Sequence, residues 1–335
     1  VLEKYTKPGV LDCKLNVRSV YELFVYLKPL GVTSDQIGCP LGTYGLPEMG
    51  TPFIQQVLVD AKPKNFADLL QISGLTHGTN VWLGNAQDLI KNGICDISEV
   101  VGTRDGIMLY LIRHQLDNGM AFKIMEDVRK GRGLKPEYEE AMLAHGVPEW
   151  YIASCKKIKY MFPKAHAAAY VMSAIRLGWY KIYYPMEFYA AFLSVAPGGF
   201  DARIVIGGLK SINKSLAEIA EKGNDATQKE SEQETTLLLV RECISRGISF
   251  LPVDLYKSDA TAFLPENGSI RMPFSSIGGL GESAAEKIIQ TRNQGTVYSV
   301  EDLRTRAGLS KAVVELLREC GALEGLSETN QLSFF

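Results

Sequence analysis

Lys156, Lys157, Lys159, Lys164, Arg176 and Lys181 fall between residues 150 and 186, a stretch that contains no Asp or Glu. Within it runs Tyr160-Met161-Phe162-Pro163-Lys164-Ala165-His166-Ala167-Ala168-Ala169-Tyr170. Proline suits the first position of a helix, where its missing N–H would be unbonded anyway. Pro163 therefore opens a helix, with Lys164 and His166 in the first turn beside the positive end of the helix dipole. Two donors and a helix N-terminus aimed one way suit a polyphosphate. The three alanines keep the helix face low enough for a flat group or another backbone, and Tyr170 lies one turn beyond His166 on the same side. An Ala-rich buried helix with a helix-start proline is the competing reading, and the absence of acids favours the anion site.

Other polar groupings invite a ligand less directly. Ser73-Gly74-Leu75-Thr76-His77-Gly78-Thr79-Asn80 gathers hydroxyls, an imidazole and an amide around two glycines. Such a run suits a loop touching a ligand, or a self-capping turn in which Thr79 or Asn80 starts a helix. Trp82 reads as core. Arg104 sits just before a helical segment, an unfavourable place for a cation unless an anion is near or Asp105 pairs with it. Lys130-Gly131-Arg132-Gly133 reads as a solvated turn or as a loop touching a template phosphate.

The elements that must position these residues are mostly helices. Apolar residues recur at three- and four-residue spacing over 105–116, 121–130, 139–145, 150–160 and 163–184. Residues 1–60 carry Gly and Pro punctuation between apolar segments, as short helices joined by turns do. Pro197-Gly198-Gly199 marks a boundary, followed by a helix over 202–222, a polar run over 223–236 read as an exposed loop or helix end, and a helix ending near Gly247. Between 248 and 274 the texture changes to short strands, with a hairpin turn over 265–269.

An internal repeat follows. Gly279-Leu280-Gly281-Glu282-Ser283-Ala284-Ala285-Glu286-Lys287-Ile288-Ile289 is echoed by Gly308-Leu309-Ser310-Lys311-Ala312-Val313-Val314-Glu315-Leu316-Leu317. Each copy is a Gly-Leu turn before a helix. The first resembles the hairpin of a helix-hairpin-helix module, in which glycines let the backbone approach a DNA phosphate and the helix dipole favours the anion. Lys287 and Arg292 are candidates for further phosphate contacts, which read no sequence. A plain helix-linking turn is the alternative. With Ser310 in place of the second glycine, the second copy is expected to bind DNA weakly or not at all.

Composition sets the bounds. The chain has 335 residues, is 46% hydrophobic and carries a net charge of −2, so a nucleic-acid partner must be argued from local patches. Six scattered cysteines, with no Cys-x-x-Cys pair, speak against a zinc site and a disulfide framework and are read as reduced thiols in a cytoplasmic protein. No apolar stretch is long enough to span a membrane. A chain that begins Val1-Leu2-Glu3 is read as cut from a longer protein.

The block from Ser154 to Tyr170 resembles the fingers helix of the bacterial replicative DNA polymerase III alpha family, in its PolC-type branch. Residues 71–86, residues 122–131 and the tail Gln331-Leu332-Ser333-Phe334-Phe335 agree with it. The resemblance runs from about Leu30 to Phe335. It implies a mainly α fold with a small β-containing segment: polymerase fingers over 1–196, a helical linker and mixed segment over 197–270, a duplex-binding tandem helix-hairpin-helix-like region over 271–326, and a clamp-binding tail over 327–335. It places Ser73, His77, Arg104, Lys157, Lys159, Lys164, His166 and Tyr170 at the incoming dNTP. Primer–template DNA is expected at Lys130, Arg132, Gly279, Gly281, Lys287 and Arg292.

The tail also argues for itself, since apolar residues behind a polar linker at a free end invite a partner's pocket. By resemblance that partner is a sliding clamp, with Phe334 where the family commonly has leucine; other replisome subunits are possible partners. A tail folded back on its own domain is the alternative. No Asp-x-Asp occurs in the sequence, whereas polymerase chemistry needs carboxylates that hold Mg²⁺ ions. The family carries these, and an exonuclease, upstream of the fingers. The chain alone is thus expected to be inactive, with the Mg²⁺ ligands outside it. His114 and His145 have no acidic or cysteine partners at metal spacing. A different class of function stays open: a non-catalytic helix-hairpin-helix adaptor recruited to DNA by a sliding clamp.

Overall fold

A computed structural model describes residues 1–195 and 198–329. It is mainly helical with one small sheet, and it divides into two compact units. One comprises residues 13–30 and 39–179; the other comprises 1–12, 31–38 and 180–335. The division falls inside the Lys164–Tyr183 helix, well before the expected boundary at Pro197, which itself lies outside the described residues.

The first unit is a helical assembly. Its elements include Pro52–Ala61, Phe66–His77, Arg104–Arg113, Asn118–Arg129, Pro136–Ala144 and Glu149–Lys157. Asn65 starts the Phe66–His77 helix by accepting a bond from the Asp68 amide at 3.1 Å, while the Asp68 carboxylate accepts from the Lys64 amide at 2.8 Å. The first bond satisfies an amide that the helix start leaves open, and the second ties down the residue leading into it. Leu69, Ile72, Ile107, Leu111, Ile124, Val128, Tyr151 and Cys155 form the core. The run expected as a ligand loop is helical through His77. Its Gly74 is there for packing, because a Cβ would lie 2.2 Å from the Gly102 carbonyl oxygen.

In the second unit the helices Pro185–Val195, Gly208–Lys222 and Gln228–Ser245 precede three strands, β1 (Phe250–Leu251), β2 (Leu264–Glu266) and β3 (Ser269–Arg271). The order is β1-β3-β2, with β3 parallel to β1 and antiparallel to β2. The hairpin turn is Asn267-Gly268, both left-handed at φ 50° and 81°, the pairing that a two-residue hairpin favours. The polar run expected as an exposed loop or helix end is largely helix. Thr227 and Glu230 form a capping box, with the Glu230 amide bonded to Thr227 and the Glu230 carboxylate accepting from the Thr227 amide at 2.9 Å; that local chemistry outweighs the scarcity of apolar residues. The helix expected over 202–222 is two pieces, Ala202–Ile206 and Gly208–Lys222, joined at Gly207. The last helices are Glu282–Asn293, Val300–Ala307 and Lys311–Glu319.

A buried ionic cluster lies in this unit. Lys181 Nζ sits 2.7 Å from Glu242, and both side chains are fully buried. The Tyr189 hydroxyl donates to the same carboxylate at 2.6 Å, and Arg246 donates to the Tyr189 oxygen at 3.2 Å and the Lys181 carbonyl at 2.7 Å. Lys181 is therefore a core residue and not part of a cationic face.

Candidate nucleotide and nucleic-acid interface

In the first unit, four rings gather near the start of the Lys164–Tyr183 helix. His77 stacks on Phe162 at 4.8 Å between centroids and lies nearly parallel to Tyr170 at 6.4 Å. His166 meets Phe162 and Tyr170 edge-on, each at 5.1 Å. The sequence spacing that put Tyr170 one turn beyond His166 therefore describes a real contact. His77 is oriented from both sides, since Nδ1 bonds the Ser73 carbonyl at 2.7 Å and Nε2 lies 3.3 Å from Glu48. Lys164, His166 and Tyr170 are exposed. The arrangement offers a flat aromatic face, which suits a base.

The helix end itself is already occupied. Asp105 accepts from the Lys164 amide at 2.9 Å and lies 3.8 Å from Arg104 Nε. Arg104 is thus paired as its alternative reading allowed, and the expected open helix terminus carries a carboxylate. The Arg104 amide points at the Phe162 carbonyl at 3.4 Å, tying the two chain segments together. Ser73 is buried inside its helix, with a hydroxyl that has no hydrogen-bond partner among the described residues; its carbonyl serves the cluster by holding His77. Sequence spacing could not bring in Glu48 or Asp105, which come from 29 and 59 residues away from their partners.

The acid-free stretch does not make one cationic surface. Lys156 pairs with Glu139 at 2.9 Å, and Lys157 donates to the Gly84 carbonyl at 2.8 Å. Lys156, Lys157 and Lys159 line an open depression with Asn80, Leu83, Gly84 and Asn85, and neither Lys164 nor His166 lines it. Lys164 borders a different pocket of about 230 Å³, shared with Gln71, Thr103, Tyr110, Arg113 and Tyr151. That volume is below the roughly 300–1,000 Å³ of small-molecule sites. Tyr110 and Tyr151 stack face to face there at 4.0 Å, and Tyr151 is fully buried with its hydroxyl pushed to high pKa by desolvation, so the pocket belongs to packing.

Lys130 and Arg132 are ion-paired, with Glu126 at 2.8 Å and Asp127 at 3.2 Å. Hydrogen bonds from Arg129 and Lys130 hold the Glu126 carboxyl down to about 2. Gly131 is required between them, because a Cβ would come 2.5 Å from the Lys159 carbonyl.

In the second unit, Gly279 takes φ 94° and Gly281 precedes the Glu282–Asn293 helix with no side-chain cap, so this turn leaves helix-start amides open. A Cβ at Gly281 would meet nothing within 4 Å. At the second copy, the Ser310 hydroxyl accepts from the Val313 amide at 3.2 Å and caps its own helix. Lys287 is exposed. Arg292 is a correction to the sequence reading: its Nη1 donates to the Leu255 and Ser258 carbonyls at 2.9 and 2.6 Å, and burial lowers its pKa. It ties a loop to the helix.

Residues 12–149 match the model of the bacterial DNA polymerase III alpha subunit finger domain, and residues 247–332 match a helix-hairpin-helix motif. Over 316 residues the chain is 52% identical to the PolC-type DNA polymerase III of Oceanobacillus iheyensis and also to that of Bacillus subtilis. The chain is homologous to part of the PolC-type DNA polymerase III enzymes. These alignments cover 94% of the chain and 22% of each relative. With the PolC-type enzyme of Caldanaerobacter subterraneus subsp. tengcongensis it shares 48% identity across its whole length, covering 24% of that relative. The chain thus spans under a quarter of the relatives it matches. It is homologous to the finger region of a replicative polymerase, with a helix-hairpin-helix segment behind it.

Among the described residues, no helix is long and apolar enough to cross a membrane. No group of three or more His, Cys, Asp or Glu side chains among them could hold a metal ion. The expected clamp-binding residues Gln331 to Phe335 lie outside the described residues.

Proposed function

We propose that this chain is the part of a cytoplasmic replicative DNA polymerase that binds the incoming dNTP and the primer–template duplex during template-directed synthesis. One observation carries the reading: His77, Phe162, His166 and Tyr170 converge beside Arg104 and Lys164. A base stacks on the ring face while cations meet the phosphates. The Gly279–Gly281 turn and Lys287 hold the duplex backbone without reading sequence. The Gln331–Phe335 tail engages a sliding clamp, and Mg²⁺ is held by carboxylates outside this chain. Lys157 and Lys159, in a depression that the ring cluster does not share, fit a nucleic-acid backbone as well as a triphosphate. The chain by itself supplies binding and no primer extension.

The test is steady-state kinetics of a full-length PolC-type polymerase carrying this segment. Lys164→Ala is expected to lower kcat/KM for dNTP by ~2–4 kcal/mol of transition-state stabilisation, as for loss of a preorganised donor. Unchanged kcat/KM in Lys164→Ala and Tyr170→Ala would leave the adaptor reading, in which the hairpin and tail act without a nucleotide site. Template-dependent extension by the pure 335-residue chain would overturn the assignment altogether.

A further inference from the structure

Gly278, immediately before the Gly279–Gly281 turn, has its Cβ position filled by another part of the second unit. An added Cβ would lie 2.8 Å from Arg203 Nη2 and 3.1 Å from Asp201 Oδ2. These two residues come from the start of the Ala202–Ile206 helix, outside the segment matched to the helix-hairpin-helix motif. The glycine at 278 is thus explained by the approach of an arginine to the hairpin backbone.

The arginine is held in a fixed pose. Its Nε and Nη2 donate to the two oxygens of Asp201 at 3.1 and 2.9 Å, and the Arg203 amide donates to the same carboxylate at 2.9 Å. Burial pushes the Asp201 carboxyl up, but the hydrogen bonds and charge of Arg203 bring it net below the usual carboxylate range. A guanidinium held on one edge by a carboxylate presents its other edge in a preset direction. Here Nη1 makes no hydrogen bond among the described residues, and the side chain is 51% exposed. Glu319, at the end of the Lys311–Glu319 helix, lies near enough to favour its charge further. With Asp201 cancelling much of the long-range field, any contribution of Arg203 to DNA must come from short, directed hydrogen bonds.

We infer that Arg203 is a DNA-phosphate contact that completes the hairpin site, its free guanidinium edge joining the open helix-start amides that follow the Gly279–Gly281 turn on the duplex backbone. This rests on the reading of that turn as a phosphate site. The Asp201–Arg203 pair then acts as a preorganised arm that the hairpin motif alone does not encode.

Binding of the 335-residue chain to a short mixed-sequence duplex, followed by fluorescence anisotropy from about 50 to about 200 mM salt, tests it. Arg203→Gln is expected to weaken binding roughly ten- to hundredfold, the loss of a charged hydrogen bond, and to reduce the slope of log K against log salt by at most about 0.9. Arg203→Lys should restore part of that slope. Gly281→Val, which the open space at Gly281 tolerates, reports on the hairpin itself. Weakening by Gly281→Val with no change for Arg203→Gln overturns the inference and leaves the hairpin reading standing. No change in either variant removes the hairpin reading and the inference with it. A lower melting temperature for Arg203→Gln with an unchanged salt slope shows a purely structural arginine, and also overturns it.

Discussion

The carboxylate of Asp105 accepts a hydrogen bond of 2.9 Å from the backbone amide of Lys164, closing the start of the helix that carries the aromatic cluster. Asp105 therefore fixes the first turn in which Lys164 and His166 stand. Its charge also sits where a ligand phosphate would otherwise meet the helix dipole. Asp105→Ala should lower the unfolding free energy by ~1 kcal/mol, the usual loss for a helix cap. Asp105→Asn, which keeps an acceptor and removes the charge, should be closer to wild type in urea unfolding and should bind triphosphate more tightly. Weaker triphosphate binding by Asp105→Asn would mean that the carboxylate serves the site and does not oppose it.

Lys181 and Glu242 are both fully buried at 2.7 Å, and one Glu242 oxygen lacks a partner among the described residues. Removing one member strands the other charge in the core. Lys181→Met and Glu242→Leu should each cost about 3–5 kcal/mol, whereas the double substitution should recover most of the loss. A double-mutant cycle by denaturant unfolding measures this, and strictly additive losses would count against direct coupling.

Gly74 and Gly102 pack backbone to backbone, with the Gly74 Cβ position 2.2 Å from the Gly102 carbonyl oxygen. Gly74→Ala should therefore destabilise by about 1–3 kcal/mol through overpacking, although alanine is the better helix former. Thermal unfolding decides the point, since a stabilised variant would show that residues 100–103 yield freely.

Glu230 closes the capping box of the Gln228–Ser245 helix. Bonds from Lys222 and then from the Thr227 backbone and side chain bring its carboxyl from 4.5 to about 2. A carboxylate whose pKa falls on folding contributes stability that is complete above its unfolded value. That contribution should be lost as pH falls from about 4.5 towards 2, and Glu230→Gln should flatten the loss. Difference unfolding curves of the two proteins across that pH window provide the measurement, with parallel curves as the contrary result.

The tail can be tested on one truncation. Deleting Gln331 to Phe335 should abolish sliding-clamp binding while changing stability by no more than ~0.5 kcal/mol, the range for surface changes away from a core. Phe335→Ala should alone cost ~2 kcal/mol of clamp affinity if it is the aromatic anchor. Retained clamp binding together with a destabilised chain would indicate a tail docked on its own domain.

Local rules made much of this protein legible in its sequence. Helical periodicity marked the principal helices, Pro163 marked the start of the Lys164–Tyr183 helix, and Asn267-Gly268 marked the hairpin. Each depends on neighbours within a few residues, so the chain alone determines it. Local signals also misled: the polar run before Thr235 looks like a loop until its Thr227–Glu230 box is recognised, and residues 73–77 look like a ligand loop although Gly74 serves close packing. What only the tertiary structure decided was which charges remain free. Lysine and arginine look alike along a chain, but their partners Glu139, Glu242 and the Leu255 and Ser258 carbonyls come from distant segments. Coulomb energy and desolvation depend on distance and burial in space, so folding turned Lys181 and Arg292 into structural groups. The same packing brought Arg203 to the hairpin at Gly278.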